Sequence, residues 1–324
     1  MKKKFLLVLV VSLLVISFSA PAVFAFTIGH VTGSLAAFSQ QRVKEAMEKL
    51  CKEKYGWKLY VSDAKGSSAT LANMMENYIA RKVDVITVAM ADLRAVKGAI
   101  ATANRAGVPI YAIDSGYVPG IMVDVTSNNY VIGSLMGAYL ADRLAHQGKI
   151  VSIGMNQHHG VRKRRLMLDP VLKENPEITL LAHFDVRYES FYEDARRAME
   201  DFLTRYGKEI NGVWCGWDDL GDAAAKAIMD RGYTRDDMFI VGADGHPHAY
   251  RHIRNPKSPF EATVGQKFSY FASITLDLID KIEVRGMDPD KIIPKGKRIY
   301  VDTPLVDPTN VPAEGKLPWK YPWE

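Results

Sequence analysis

The sequence predicts an α/β protein built from two similar lobes, each a parallel sheet flanked by helices. Three observations carry that prediction. Short apolar runs alternate with segments of helical periodicity along almost the whole chain. The alternation falls into two series, each too small to account for all 324 residues. Four of the runs, those reaching His30, Asp114, Asp218 and Asp244, stop at a polar residue. In open α/β sheets the crevice beyond the carboxyl ends of the strands is where ligands sit.

The elements follow in order. Thr27 to Val31 reads as a strand. Ser39 to Lys54 reads as a helix, with Val43, Ala46, Met47 and Leu50 at helical spacing. Trp57 to Val61 alternates like a strand, and Ser68 to Arg81 is a helix with a Ser/Thr start. Val83 to Val88 is an apolar strand, Asp92 to Ala106 a helix opened by a capping Asp and stopped by Gly107, and Val108 to Ile113 the next strand. Such repeated units imply a parallel sheet with right-handed crossovers.

The second series begins after Val123-Asp124. Its helices are expected at Ile132 to His146, Arg162 to Glu174, Tyr192 to Tyr206, Asp222 to Arg231, Pro247 to Arg254 and Phe268 to Val284. Its strands are expected at Lys149 to Gly154, Ile178 to Phe184, Gly212 to Trp217, Met238 to Ala243 and Glu261 to Val264. From Tyr300 the character changes. Five prolines between Thr303 and Pro322, with Trp319 and Trp323, argue for an extended strap rather than more sheet.

Residues 1–25 read as a cleavable signal peptide: Lys2, Lys3 and Lys4, an apolar stretch from Phe5 to Phe18, and Val23-Phe24-Ala25 as the cleavage site. Neither cysteine lies near that site, so no lipid anchor is expected, and the mature protein should be periplasmic. The formal charge of +5 falls to +2 without those three lysines, which gives no case for nucleic acid as a partner. Cys51 and Cys215 are expected to be free, buried thiols.

Asp114 and Asp244 are the sharpest candidates for a site. Each could be only a cap for the following helix, yet one such carboxylate stands in each series. Arg162-Lys163-Arg164-Arg165 opens a helix and is followed at once by Leu166-Met167-Leu168, so part of the run must face inward. A guanidinium there offers five donors in a planar fork, suited to ring oxygens or a carboxylate. Phe38, Tyr188, Phe191 and Trp217 lie near strand or loop ends, and an aromatic face covers the apolar C–H side of a sugar ring. Trp217 is the best placed of the four. His158-His159 and His246-Pro-His248 invite a metal reading, but neighbouring residues rarely ligate one ion together, and no cysteine or carboxylate spacing supports a zinc site. Neither metal nor cofactor is expected. There is no Walker sequence, nucleophile elbow, GxGxxG after the first strand or HExxH.

Over roughly residues 26 to 300 the chain resembles the type I periplasmic sugar-binding proteins of ABC transporters, the ribose-binding class. The resemblance rests on Ile113-Asp114 with Ser127-Asn128-Asn129 downstream, Arg162-x-Arg164, Trp217-Asp218-Asp219, Val241-Gly-Ala-Asp244-Gly and Ala262-Thr-Val-Gly-Gln266. It implies two Rossmann-like lobes joined by a three-strand hinge, with a monosaccharide or cyclitol clamped between them. Residues 26–126 plus 268–300 would form the N-terminal lobe, and 127–267 plus 301–324 the C-terminal lobe and extended tail. Asn128 would lie in the hinge, and the third crossover near Val301 to Val306.

The resemblance further implies that Asp114, Arg164, Asp244 and Gln266 hydrogen-bond the sugar, with Trp217 where ribose binders carry an amide. Ser115 stands where those proteins often have arginine, and Ala36-Ala37-Phe38 replaces a pair of phenylalanines. These departures turn the expectation from ribose toward another pentose, a hexose or a cyclitol. The implied partners are the small-molecule guest and an ABC permease, with the protein a monomer and not an enzyme. A chemoreceptor or quorum-signal binder of the same fold is the nearest rival, and a secreted α/β enzyme a more distant one.

Overall fold

The computed structural model describes residues 25–324, so the expected signal peptide lies outside the described residues except for Ala25. The chain begins β1 (Thr27–Thr32), α1 (Phe38–Leu50), β2 (Lys58–Asp63), α2 (Ser68–Ala80), β3 (Val85–Ala89), α3 (Lys97–Arg105), β4 (Ile110–Ile113) and β5 (Val123–Ser127). It continues α4 (Asn129–Arg143), β6 (Gly148–Gly154), α5 (His159–Leu166), α6 (Leu168–Glu174), β7 (Ile178–Asp185), α7 (Phe191–Tyr206), β8 (Gly212–Cys215), α8 (Asp218–Asp230), β9 (Phe239–Asp244), α9 (Pro247–Arg254) and β10 (Phe260–Gly265). It ends α10 (Phe268–Ile279), α11 (Pro289–Ile292), β11 (Arg298–Val301) and β12 (Leu305–Val306).

These strands make two sheets, β2-β1-β3-β4-β5-β11 and β7-β6-β8-β9-β10-β12. All pairings are parallel except β10 with β12. Both sheets share the doubly wound order in which the second strand lies outside the first, so each has its switch point at the same place. Each is apolar on both faces, which is why its central strands read as unbroken hydrophobic runs. The first sheet packs Met47, Leu50, Phe271 and Leu276 on one face, and Leu71, Met75 and Ile100 on the other. The second packs Ala195, Met199, Ala224 and Ile228 on one face, and Ile132, Met136 and Leu140 on the other. The chain passes between the sheets three times: after Ser127, after Gly265, and between Val301 and Leu305. Cys51 and Cys215 are free and buried in different cores, and burial pushes the Cys51 thiol up to about 12. No helix among the described residues is long and apolar enough to cross a membrane.

Several boundaries differ from the sequence reading for identifiable reasons. The helix expected over 162–174 starts earlier, at His159, because His158 caps it by accepting from the Val161 N–H at 3.4 Å. It then breaks at Met167, where Pro170 lacks the N–H needed to continue one ladder. The helix expected over 92–106 opens with a separate tight turn, Leu93–Val96, before α3. Three strands were missed, and one of them, β12, adds an antiparallel edge to the second sheet inside the region expected to hold no more sheet. In β5 the buried Asp124 interrupts the apolar pattern, and β11 lies at the edge of the region read as an irregular strap.

Asp124 yields a pH test. One oxygen accepts from the Ser115 N–H at 3.1 Å, and Oδ2 has no partner among the described residues. Burial first, then the Asp114 charge, pushes the carboxyl up to about 7. The folded state therefore holds a proton that the unfolded chain releases near pH 4, and stability falls as pH rises from there to about 7. Asp124→Asn keeps the accepting oxygen and cannot ionise. Thermal melts should show the variant more stable by about 3 °C or more at pH 8 and nearly equal to the parent near pH 4.

Candidate ligand-binding site

Asp114 and Asp244 occupy equivalent places. Asp114 directly follows β4, the fourth strand of the first sheet, and Asp244 ends β9, the fourth strand of the second. Both are buried and both have positive φ, 46° and 125°. A non-glycine residue in that region is strained, and the strain is sustained only when surrounding contacts over-determine it. Those contacts are present. Asp114 Oδ1 accepts from Thr126 Oγ1 at 2.5 Å and Asn129 Nδ2 at 3.3 Å. Asp244 Oδ1 accepts from Gln266 Nε2 at 2.7 Å and an Arg164 Nη1 at 3.3 Å. In each carboxylate the protein's hydrogen bonds converge on Oδ1, and Oδ2 accepts none among the described residues.

Arg164 holds the two ends together. Its Nε donates to Asn129 Oδ1 at 2.7 Å, and Nη1 donates to the Gly216 carbonyl at 2.8 Å as well as to Asp244. Nη2 has no protein acceptor among the described residues. α5 approaches α4 closely enough that a Cβ on Gly133 would lie 2.3 Å from the Arg164 carbonyl oxygen, so glycine is required there. Burial lifts the Asp244 carboxyl above the ordinary range, against the pull of Arg164 and His246. Burial alone would lower His246, but Asp219, Asp244 and Asp218 carry it up to about 9. His158 is pushed down to about 4, mainly by burial, so near neutral pH it is an uncharged imidazole at the cavity wall.

The cavity between the sheets has aromatic and thioether walls. Phe191 and Trp217 pack at 5.5 Å between ring centroids with planes inclined at 60°, and Phe268, Met90, Met155, Val161 and Ala37 make up the rest of the apolar lining. Its empty space, including the opening, is about 460 Å³. Tyr188, from the segment before α7, closes one side. Its hydroxyl donates to the Met90 carbonyl and accepts from Gln40 Nε2 at 3.0 Å, both on the first-sheet side. Tyr188→Phe removes this bridge. Calorimetric affinity for a bound guest should fall by about two- to tenfold, the worth of one ordinary hydrogen bond.

Seven residues singled out in the sequence line this one cavity: Asp114, Arg164, Tyr188, Phe191, Trp217, Asp244 and Gln266. Two do not. Ser115 turns into the first lobe, where its hydroxyl donates toward the Val88 and Ile113 carbonyls and accepts from the Ala91 N–H. Phe38 starts α1 and packs instead on His246 at 4.8 Å and His248 at 6.2 Å, so Ala37 takes the cavity position one residue earlier. Asn128 caps α4 at the first passage between sheets, accepting from the Tyr130 and Val131 N–H groups. Gln40, His158 and Phe268 line the cavity without having been singled out as ligand contacts. Gln40 and Phe268 sit in the first turns of helices that follow strand ends, and that position was the signal available for them.

Residues 31–284 match the periplasmic binding protein domain family, and the chain belongs to it. Among curated relatives, the ribose import binding protein of Bacillus subtilis is 25% identical over 259 residues, covering 79% of this chain and 81% of that protein. The xylitol-binding protein of Mycolicibacterium smegmatis is 28% identical over 204 residues, 62% of this chain and 57% of that one. Among solved structures, an ABC transporter solute-binding protein from Agrobacterium vitis with bound allitol has a TM-score of 0.80 at 23% identity. The match covers 89% of this chain and 97% of that one.

Proposed function

We propose that the chain is the periplasmic solute-binding component of an ABC importer, taking a monosaccharide or cyclitol between its lobes and presenting it to a membrane permease. The observation that carries this reading is the pairing of Asp114 and Asp244, at equivalent strand ends of two sheets, across one aromatic-walled cavity that also holds Arg164 and Gln266. Relatives named for ribose import and xylitol binding support the same chemical class.

Residues 26–126 plus 268–300 act as one lobe and 127–267 plus 301–324 as the other. Closing them without a guest would leave two carboxylates and a guanidinium partly unpaired in a drier space, costing several kcal/mol for each ion. Hydroxyls both donate and accept, so a polyol satisfies the free Asp114 and Asp244 oxygens and Arg164 Nη2 together. The guest selects the closed arrangement, and no bond in it is made or broken.

A thermal-melt screen of the purified protein against pentoses, hexoses, cyclitols, nucleosides and amino acids tests this. A ligand that binds only the folded state raises the melting temperature. A sugar or cyclitol should give the largest rise and be recovered intact. A rise confined to amino acids, or turnover of the sugar, would overturn the proposal.

A further inference from the structure

Beneath Phe38, outside the cavity lining except where Asp244 borders it, Asp219, His246 and His248 bring their ligating atoms within 4.8 Å of one another. Asp219 Oδ1 lies 3.3 Å from His246 Nδ1 and 3.3 Å from His248 Nε2. None of these approaches meets hydrogen-bond geometry. Both ring nitrogens of His246, Nε2 of His248 and Oδ2 of Asp219 are buried without a hydrogen-bond partner among the described residues. The His246 side chain is only 1% exposed. Buried polar atoms are nearly always satisfied, so a group of four without partners calls for an explanation.

We propose that Asp219, His246 and His248 bind a first-row divalent cation, with zinc the best fit. The donor set is two imidazoles and one carboxylate, the borderline N/O mixture that zinc takes up readily. Ligand atoms held at about 2.0–2.1 Å around a tetrahedral ion stand about 3.3–3.4 Å apart, which is the spacing found from Asp219 to each histidine. The fourth position belongs to water. An entry path exists as well: Asp219 and His248 border a groove open to solvent, alongside Asp222, Lys226 and Arg251.

The surroundings have the form of a supported metal site. Ligating imidazoles generally hold their second nitrogen near a carboxylate, and His246 Nε2 lies 3.5 Å from Asp244 Oδ2. All three ligands come from the segments after β8 and β9, on one lobe, while Phe38 covers the site from the other. The ion would therefore load on one rigid lobe, one imidazole away from the aspartate of the sugar cavity. The sequence pattern hid this because the carboxylate comes from Trp217-Asp218-Asp219, far from the histidines in the chain.

Equilibrium dialysis of the untagged protein against zinc chloride, followed by metal analysis, tests the proposal. About one equivalent should be retained, and cobalt chloride should give the intensified visible absorption of a tetrahedral ion. His248→Gln and Asp219→Asn should each weaken zinc binding at least tenfold, with His248→Gln keeping the parent's melting temperature in metal-free buffer. If Asp219→Asn fails to fold, His248→Gln decides alone. Less than stoichiometric zinc in the parent, or equal retention by parent and folded variants, would overturn the assignment.

Discussion

Replacing Asp244 with asparagine is expected to weaken ligand binding by a factor of roughly thirty to several thousand, the cost of breaking a buried charged hydrogen-bond set. The residue sits at the junction of three donors. Gln266 and Arg164 converge on Oδ1, and His246 stands 3.5 Å from Oδ2. A neutral amide presents its NH2 to one of those donor-rich sides, so it can neither accept a guest hydroxyl there nor balance Arg164. The shape of the side chain is kept, and the backbone at φ 125° suits asparagine better than most residues. Asp244→Ala loses binding too, but it strands a buried arginine and lowers the melting temperature as well. The asparagine variant is therefore the cleaner measurement. Titration calorimetry with the best guest from the melting screen reads the loss, and a folded Asp244→Asn protein with parental affinity would remove Asp244 from the site.

The sequence made the two-series α/β architecture legible because parallel strands buried on both faces are apolar throughout and end where their neighbours end. Asp114 and Asp244 stood out for the same reason: a carboxylate closing an apolar run breaks the pattern sharply. The pattern failed where burial and polarity coincide. Asp124 interrupts what would otherwise be a continuous apolar run in β5, and the four mixed residues of β11 abut the proline-rich tail, so neither strand was visible. Side-chain direction was also hidden. Ser115 and Phe38 each stand one position from cavity residues, and only the chain's path past the strand end decides that Asp114 and Ala37 line the cavity. The two histidine motifs could be seen but not assigned, because their partners arrive from elsewhere in the fold. His159 approaches Asp114 to 3.8 Å across the cleft, and His246 meets Asp219.

Arg164→Met should cost both binding and stability, and the second loss should depend on Asp244. The guanidinium is 2% exposed and joins Asn129, the Gly216 carbonyl and Asp244. Methionine fills much of its volume but leaves the Asp244 carboxylate without its guanidinium partner. Breaking one side of a buried pair costs about 3–5 kcal/mol, a fall in melting temperature on the order of 10 °C. If that fall comes from the stranded charge, Asp244→Asn in the same chain should restore part of it, because the double variant no longer buries an unbalanced carboxylate. Binding should not return, since neither the donor fork nor the accepting carboxylate is there to meet a hydroxyl. Thermal melts of the two single variants and the double variant close a thermodynamic cycle on the pair. Strictly additive losses would mean that Arg164 stabilises the fold through packing and its carbonyl contact, and that its charge is not matched to Asp244.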